Sequence, residues 1–161
     1  MMIFALHFLL GYTYGLFAEW FIHKEILHRY GKGKNAIFKF HWSSHHSDAR
    51  RFEFIDPSYN ESLLAWNAAT KELLSLLFLV AIHTPVLFFA PGAYAALIFS
   101  VIEYYFKHRK AHKNPEWAKE KLVWHFDHHM GKIQDMNWGV RRDIVDRLLG
   151  TRVKYTTKNN Y

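Results

Sequence analysis

The sequence predicts an all-α integral membrane protein, a single domain over residues 1–161 with about three transmembrane segments and a cytoplasmic, histidine-rich helical cap. Long uncharged apolar segments alternate with polar ones, and all 21 Lys and Arg residues lie in the polar segments. Ten of the 12 histidines fall into four short clusters, which are also polar. The length of 161 residues is that of one domain.

The first predicted span covers residues 2–22. This segment contains no Lys or Arg and a single acid, Glu19. A helix of that length measures about 30 Å, the thickness of the hydrocarbon core of a bilayer. The segment lacks the basic start and the small-residue cleavage site of a signal peptide, so we expect it to be retained.

Two further spans are predicted at 73–90 and 92–106. Pro91 and Gly92 form a turn signal between them, which predicts a helical hairpin. Pro85 is expected to kink the second span. Because the third segment is short for a full crossing, a re-entrant hairpin is an alternative to two full spans.

The basic residues predict the orientation, since they all lie in 24–71 or 107–158. By the positive-inside rule both regions are cytoplasmic, and the N-terminus and the turn at 90–92 are outside. The net charge of +7 could also suggest a nucleic-acid partner. However, attraction between basic residues next to spans and anionic lipid headgroups accounts for the charge, so no nucleic acid is expected.

The chain contains no cysteine, which excludes disulfides, thiolate-ligated zinc, iron–sulfur clusters and thiolate haem. Any metal must therefore be held by nitrogen and oxygen. Imidazole is a ligand for zinc, iron, copper and nickel, and ten imidazoles exceed what one ion binds, so two ions are expected. The predicted ligands are His23, His28, His41, His45, His46, His108, His112, His125, His128 and His129.

Helical spacing predicts which histidines share an ion, because residues three or four apart lie on one face of an α-helix. His23 and His28 are five apart, so either they serve different metals or the helix loosens there. The pairs with suitable spacing are His41 with His45, His108 with His112, and His125 with both His128 and His129.

The last cluster is predicted to lie on one helix that begins at Pro115 and Glu116 and ends at Gly131. The two isolated histidines are expected to have packing roles. His7 lies sixteen residues before His23, about 24 Å along a straight helix, and His83 lies inside the second span.

The four clusters, in this order, resemble the histidine boxes of the membrane fatty acid hydroxylase superfamily, which includes sterol desaturases and carotenoid hydroxylases. The segment Asn137-Trp138-Gly139 and the segment from Asp146 to Thr151 are similar to the C-terminal motifs of the fatty acid and sterol branch. The stretch from His45 to Asp56 is similar to carotenoid hydroxylases.

The resemblance implies a membrane di-iron oxidoreductase of the monooxygenase type, with dioxygen as co-substrate. Its substrate would be a membrane lipid such as a fatty acyl chain, a sterol or a carotenoid, which it would hydroxylate or desaturate. Some relatives carry a fused cytochrome domain. The present chain has neither the room nor the haem ligands for an attached cytochrome domain. A separate electron donor of the ferredoxin or cytochrome type, with its reductase, is therefore expected.

A centre of this kind needs acids and amides that orient the ring nitrogens facing away from the metal. Asp127, inside the last cluster, is the first candidate. Further candidates are Glu53, Asp56, Asp135 and Asn137.

Two other functions are compatible with the ligand types. One is a zinc-dependent membrane hydrolase, because zinc with three protein ligands and an open position activates water. The other is a metal-binding membrane protein without catalysis. A transporter is not expected, because the clusters lie outside the predicted spans.

Overall fold

Within residues 1–155, the part that the computed structural model describes, the chain forms helices joined by turns and loops and contains no strand. The all-α prediction is confirmed. The α-helices are α1 (Met2–Phe21), α2 (Ser47–Arg51), α3 (Ala68–Ile82), α4 (Val86–Phe89), α5 (Pro91–Lys113), α6 (Pro115–Lys121), α7 (Val123–Met130) and α8 (Ile144–Leu148). Two π-helical segments, Ile22–Tyr30 and His41–His46, and a 3₁₀ turn at Pro57–Asn60 complete the set.

Helices α1 and α5 form the central pair and run in the same direction. Their N-terminal halves approach so closely that side chains are excluded at two glycines. A Cβ on Gly11 would lie 2.6 Å from Cα of Ala93, and one on Gly92 would lie 2.3 Å from the carbonyl oxygen of Phe4. Small residues permit this contact between helix backbones. Both helices therefore lead from the same end of the molecule towards the histidine clusters.

The second apolar segment is interrupted. Helix α3 ends at Ile82, the chain turns through His83 and Thr84, and Pro85 is the N-cap of the short helix α4. Pro85 thus starts a new helix instead of kinking a continuous one, because proline fixes φ near the value of a first helical turn.

Helix α5 is continuous from Pro91 to Lys113, so the third apolar segment and the third histidine cluster belong to one helix. The prediction of one helix from Pro115 to Gly131 is wrong. The backbone leaves the helical region at Leu122 (φ −134°, ψ 43°), which separates α6 from α7. Leu122 is almost fully buried with Phe54 and Phe126, and this packing holds the break.

One continuous helix in the described part of the chain, Met2–Tyr30, is long and apolar enough to cross a membrane by length and composition. Helix α3 has 15 residues, which corresponds to about 22 Å and is shorter than the hydrocarbon core. Large apolar side chains nevertheless face outward on α3, α4 and α5, for example Phe78, Phe88 and Phe99.

Candidate metal centre

The ten clustered histidines converge at the ends of α1 and α5, and each is at most 3% exposed. Nine of them form two groups. In each group, one nitrogen from every ring lies within 4.8 Å of the others. The first group is His23, His28, His41, His46 and His128, and the second is His45, His108, His112 and His129. His125 adjoins the second group, with its Nε2 3.1 Å from Nε2 of His112.

The π-helical segments determine which histidines share a group. In a π-helix the hydrogen bond runs from i to i+5, so residues five apart lie on one face. His23 and His28 have this spacing in Ile22–Tyr30, and His41 and His46 have it in His41–His46. The predicted pairing of His41 with His45 is therefore wrong, because it assumed α-helical geometry.

Helix α7 lies along the border between the groups. His128 belongs to the first group and His129 to the second, so the predicted pairing of His125 with both does not describe the site. The rings of His46 and His129, from different groups, stack with centroids 4.1 Å apart. The two groups are thus in direct contact.

Backbone carbonyls fix the tautomers of several rings. Nδ1 of His23 lies 2.6 Å from the carbonyl oxygen of Trp138, and Nδ1 of His128 lies 2.6 Å from that of Met136. A carbonyl oxygen can only accept, so Nδ1 carries the hydrogen. In the neutral ring Nε2 then presents a lone pair, and it points into the first group.

The distances between the Nε2 atoms that face one another in the first group (the inner nitrogens) fit a shared cation. Nε2 of His46 lies 3.1 Å from Nε2 of both His28 and His128, and the same distance separates Nε2 of His23 and His41. Two nitrogens that bind one ion at about 2.1 Å, roughly at right angles, are about 3 Å apart.

The second group contains buried nitrogens that have no hydrogen-bond partner within residues 1–155. They are Nε2 of His45, Nε2 of His108 and both ring nitrogens of His129. Buried polar atoms are rarely left without a partner, because an unmade hydrogen bond costs about 1–3 kcal/mol. A metal ion bound by these nitrogens would satisfy them, so both groups fit a metal.

Burial favours the neutral form of several of these imidazoles. Desolvation, followed by repulsion from neighbouring imidazoles, lowers the pKa of His41, His108 and His129 well below the ordinary value for histidine. The neutral ring is the form that binds metals.

Two of the five predicted orienting residues contact ring nitrogens. Asp56, fully buried, accepts from Nδ1 of His45 at 2.7 Å, and its other oxygen accepts from the backbone N–H of Ser58. Burial raises the pKa of Asp56, but these hydrogen bonds and the interaction with His45 lower it by a larger amount. The net result is a pKa lowered to about 2. Asp135 lies 3.1 Å from Nδ1 of His28.

Two of the other candidates support the loop that carries the carbonyls of Met136 and Trp138. Asp127 forms an ion pair with Arg152 at 2.8 Å. The side-chain oxygen of Asn137 accepts from the same guanidinium and from the backbone N–H of Val153. These contacts tie the loop to the segment after α8.

The remaining candidate, Glu53, lies in a turn with positive φ (53°), next to Phe54, which also has positive φ (81°). The turn directs the carbonyl oxygen of Phe54 towards Nδ1 of His112, 2.8 Å away. This turn therefore orients His112 through a backbone carbonyl, and not through the carboxylate of Glu53, which is exposed.

Glu72 was not predicted. Its Oε2 lies 2.6 Å from Nδ1 of His108 and also accepts from the hydroxyl of Tyr59 at 2.6 Å. The sequence does contain a signal for Glu72, an acid placed directly before the apolar segment 73–90. The backbone carbonyls at the site, by contrast, have no counterpart in any sequence pattern.

A cavity of about 680 Å³ lies between α1, α3 and α5, and most of its walls are apolar. One end reaches His23, His41 and Glu72, and the other end reaches Tyr14 and His83. The cavity volume is within the range of sites for small ligands. The first histidine group is therefore accessible to an apolar molecule that lies along α3.

A family model described as fatty acid hydroxylase matches residues 8–151, a range that includes all ten clustered histidines. No curated protein and no solved structure matches the chain significantly.

Proposed function

The chain belongs to the fatty acid hydroxylase family, which consists of membrane-associated oxidoreductases, and from this membership we propose that it is a di-iron enzyme that uses dioxygen to hydroxylate or desaturate a membrane lipid. One structural observation carries the proposal. An apolar cavity opens onto the first of two adjoining groups of buried imidazoles.

The histidines would hold the two ions through their inner nitrogens. Asp56, Asp135 and Glu72 fix the rings of His45, His28 and His108 from outside, which sets their orientation and tautomer. Bound iron would supply the redox chemistry that activates dioxygen and removes hydrogen from an unactivated C–H bond.

The cavity walls position the lipid and exclude water from the reacting carbon. For hydroxylation, one C–H bond, one dioxygen, two electrons and two protons give a C–OH group and one water. Desaturation consumes the same oxidant and electrons, takes two hydrogens from adjacent carbons and releases two waters. The two electrons would come from a separate ferredoxin-type or cytochrome-type donor.

The exposed apolar surface supports placement in a membrane. The most apolar stretch of helix Met2–Tyr30 is only 11% buried within the protein, so its side chains face outward. The basic residues lie in 24–71 and 107–158. By the positive-inside rule, the histidine centre would be on the cytoplasmic side and the N-terminus outside. Helices α3 to α5 would then form the remaining membrane-embedded hairpin.

Mass spectrometry of host lipids tests the proposed reaction. Cells that express the chain are compared with cells that express His128→Ala, which removes one member of the first group. We expect a lipid that gains one oxygen or loses two hydrogens with the intact chain and is unchanged with the variant. Identical lipid profiles in cells with adequate iron and electron donor would contradict the proposal, and hydrolysed lipids would indicate the zinc-hydrolase alternative.

A further inference from the structure

The charged residues that line the cavity differ in whether their charge is paired within the protein. Apart from histidines they are Glu19, Arg141, Glu72 and Lys71. Glu19 and Arg141 form an ion pair with each other, and Glu72 bonds to His108 and Tyr59. Within residues 1–155, Lys71 has no carboxylate partner within ion-pair distance, so it is the cavity cation whose charge is left for a ligand.

Lys71 lies at the histidine end of the cavity. It precedes Glu72 on α3, and its Nζ lies 5.9 Å from the ring centroid of Phe40, the residue before His41. Nζ also lies 5.4 Å from the ring of Trp66, which is 74% exposed. The ammonium group is thus held between two aromatic rings, where the cavity meets the surface.

The opposite end of the cavity is lined by Tyr14 and His83 instead of by a lysine or a carboxylate. Nδ1 of His83 donates to the carbonyl oxygen of Leu79 at 2.8 Å, and Nε2 shares a hydrogen bond of 3.0 Å with the hydroxyl of Tyr14. The two polar side chains thereby satisfy each other. His83 follows Lys71 by twelve residues, which is about 18 Å along α3.

We propose that Lys71 determines specificity by binding the anionic headgroup, carboxylate or phosphate, of an acyl lipid whose chain runs along α3 towards Tyr14 and His83. In this orientation the carbons next to the headgroup lie beside His23 and His41, and the methyl end lies far from them. Oxidation then falls near the headgroup. The position of oxidation rests on the proposed function, whereas headgroup binding does not.

Equilibrium binding to the purified full chain in neutral detergent tests the headgroup site. The probes share a sixteen-carbon chain and differ in headgroup: palmitate, palmitoyl lysophosphatidic acid and hexadecanol. Lys71→Gln is expected to weaken binding of at least one anionic probe by about tenfold or more, because it removes a hydrogen bond between two charged groups. Lys71→Arg should retain most of the affinity.

Lys39→Gln is the matched control. It makes the same change of charge at an exposed lysine that does not line the cavity, and it should leave all three affinities unchanged. Hexadecanol binding should be the same in the intact chain and Lys71→Gln. Loss confined to palmitate identifies a carboxylate lipid, and loss confined to the lysophosphatidic acid identifies a phosphate headgroup.

Two binding results would overturn the assignment of Lys71. One is equal weakening of all three probes, which would mean a structural role, and the other is unchanged affinity for both anions. Because binding needs no turnover, Lys71-dependent binding without any lipid oxidation would refute the proposed function and leave the headgroup site intact. A product oxidised near its methyl end would refute the orientation alone.

Discussion

At the scale of single residues, the hydrogen bond of the outer nitrogen, Nδ1, determines whether the inner nitrogen, Nε2, has a lone pair for a metal. The partners of the outer nitrogens are carboxylates for His28, His45 and His108, but backbone carbonyls for His23, His112 and His128. Both kinds accept a hydrogen bond, so both leave Nε2 with a lone pair for a metal.

Asp56→Asn is expected to lower the metal affinity of the second group by about 10–100-fold, because the hydrogen bond to Nδ1 of His45 loses its charge. Competition with a chelator, followed by elemental analysis, measures the change. Glu53→Gln is the matched control, since Glu53 is an exposed acid in the preceding turn. An equal effect of both substitutions would mean that Asp56 does not act through His45.

The residue scale also marks a limit of sequence analysis. Asp56 and Asp135 could be proposed as orienting residues because a carboxylate is recognisable in a sequence. The carbonyls of Phe54, Met136 and Trp138 could not, because every residue has a carbonyl. Their direction depends on backbone angles such as the positive φ of Phe54.

At the scale of elements, the π-helical turns convert a five-residue spacing into a shared face. The double variant Leu27→His with His28→Leu would restore α-helical spacing from His23. It is nevertheless expected to lose metal from the first group, because position 28 lies with His23 in that group, whereas position 27 lines the apolar cavity. Metal content relative to His28→Leu measures the effect. Full metal occupancy in the double variant would contradict the π-helical geometry.

The histidine clusters and the helices that carry them could be predicted, because periodicity and composition are local properties. The assignment to groups could not. The π-helical segment His41–His46 places His46 against His28 and His128, which are distant in sequence. The break at Leu122 likewise depends on packing against Phe54, which is distant in sequence.

At the scale of the whole molecule, a buried ion pair between Glu19 and Arg141 links the first helix to the C-terminal part of the chain. Glu19 in α1 accepts from the backbone N–H of Arg141 at 2.9 Å and from its Nε at 2.5 Å. The guanidinium is 1% exposed and the carboxylate 8%. The contact holds the loop that contains Trp138 against α1. The carbonyl oxygen of Trp138 in turn accepts from Nδ1 of His23.

Arg141→Met is expected to destabilise the fold by about 3–5 kcal/mol, because it leaves the Glu19 carboxylate buried without its partner. Thermal unfolding in detergent measures the loss. Arg147→Met is the control, since it breaks an exposed pair with Asp143 and should cost at most about 1 kcal/mol. Similar unfolding temperatures for the two variants would show that the Arg141 pair does not stabilise the fold.

The proposed orientation can be tested with single cysteines, because the native chain has none. A membrane-impermeant thiol reagent should label Ala90→Cys in intact cells and Lys132→Cys only after the membrane is permeabilised. The reason is that the 90–92 turn would be outside and the basic region inside. The reverse pattern would place the histidine centre on the other side of the membrane.

The measurement that tests the central claim most directly is elemental analysis of the intact chain, purified without chelators from cells supplied with iron. Two groups of buried imidazoles predict about two iron ions per chain, and about one fewer when His128 is replaced by alanine. Two zinc ions in place of iron would leave the groups as metal sites, because an imidazole site also binds zinc when zinc is available during expression. A metal content near zero in a folded, purified chain would contradict the assignment of these histidines as a metal centre.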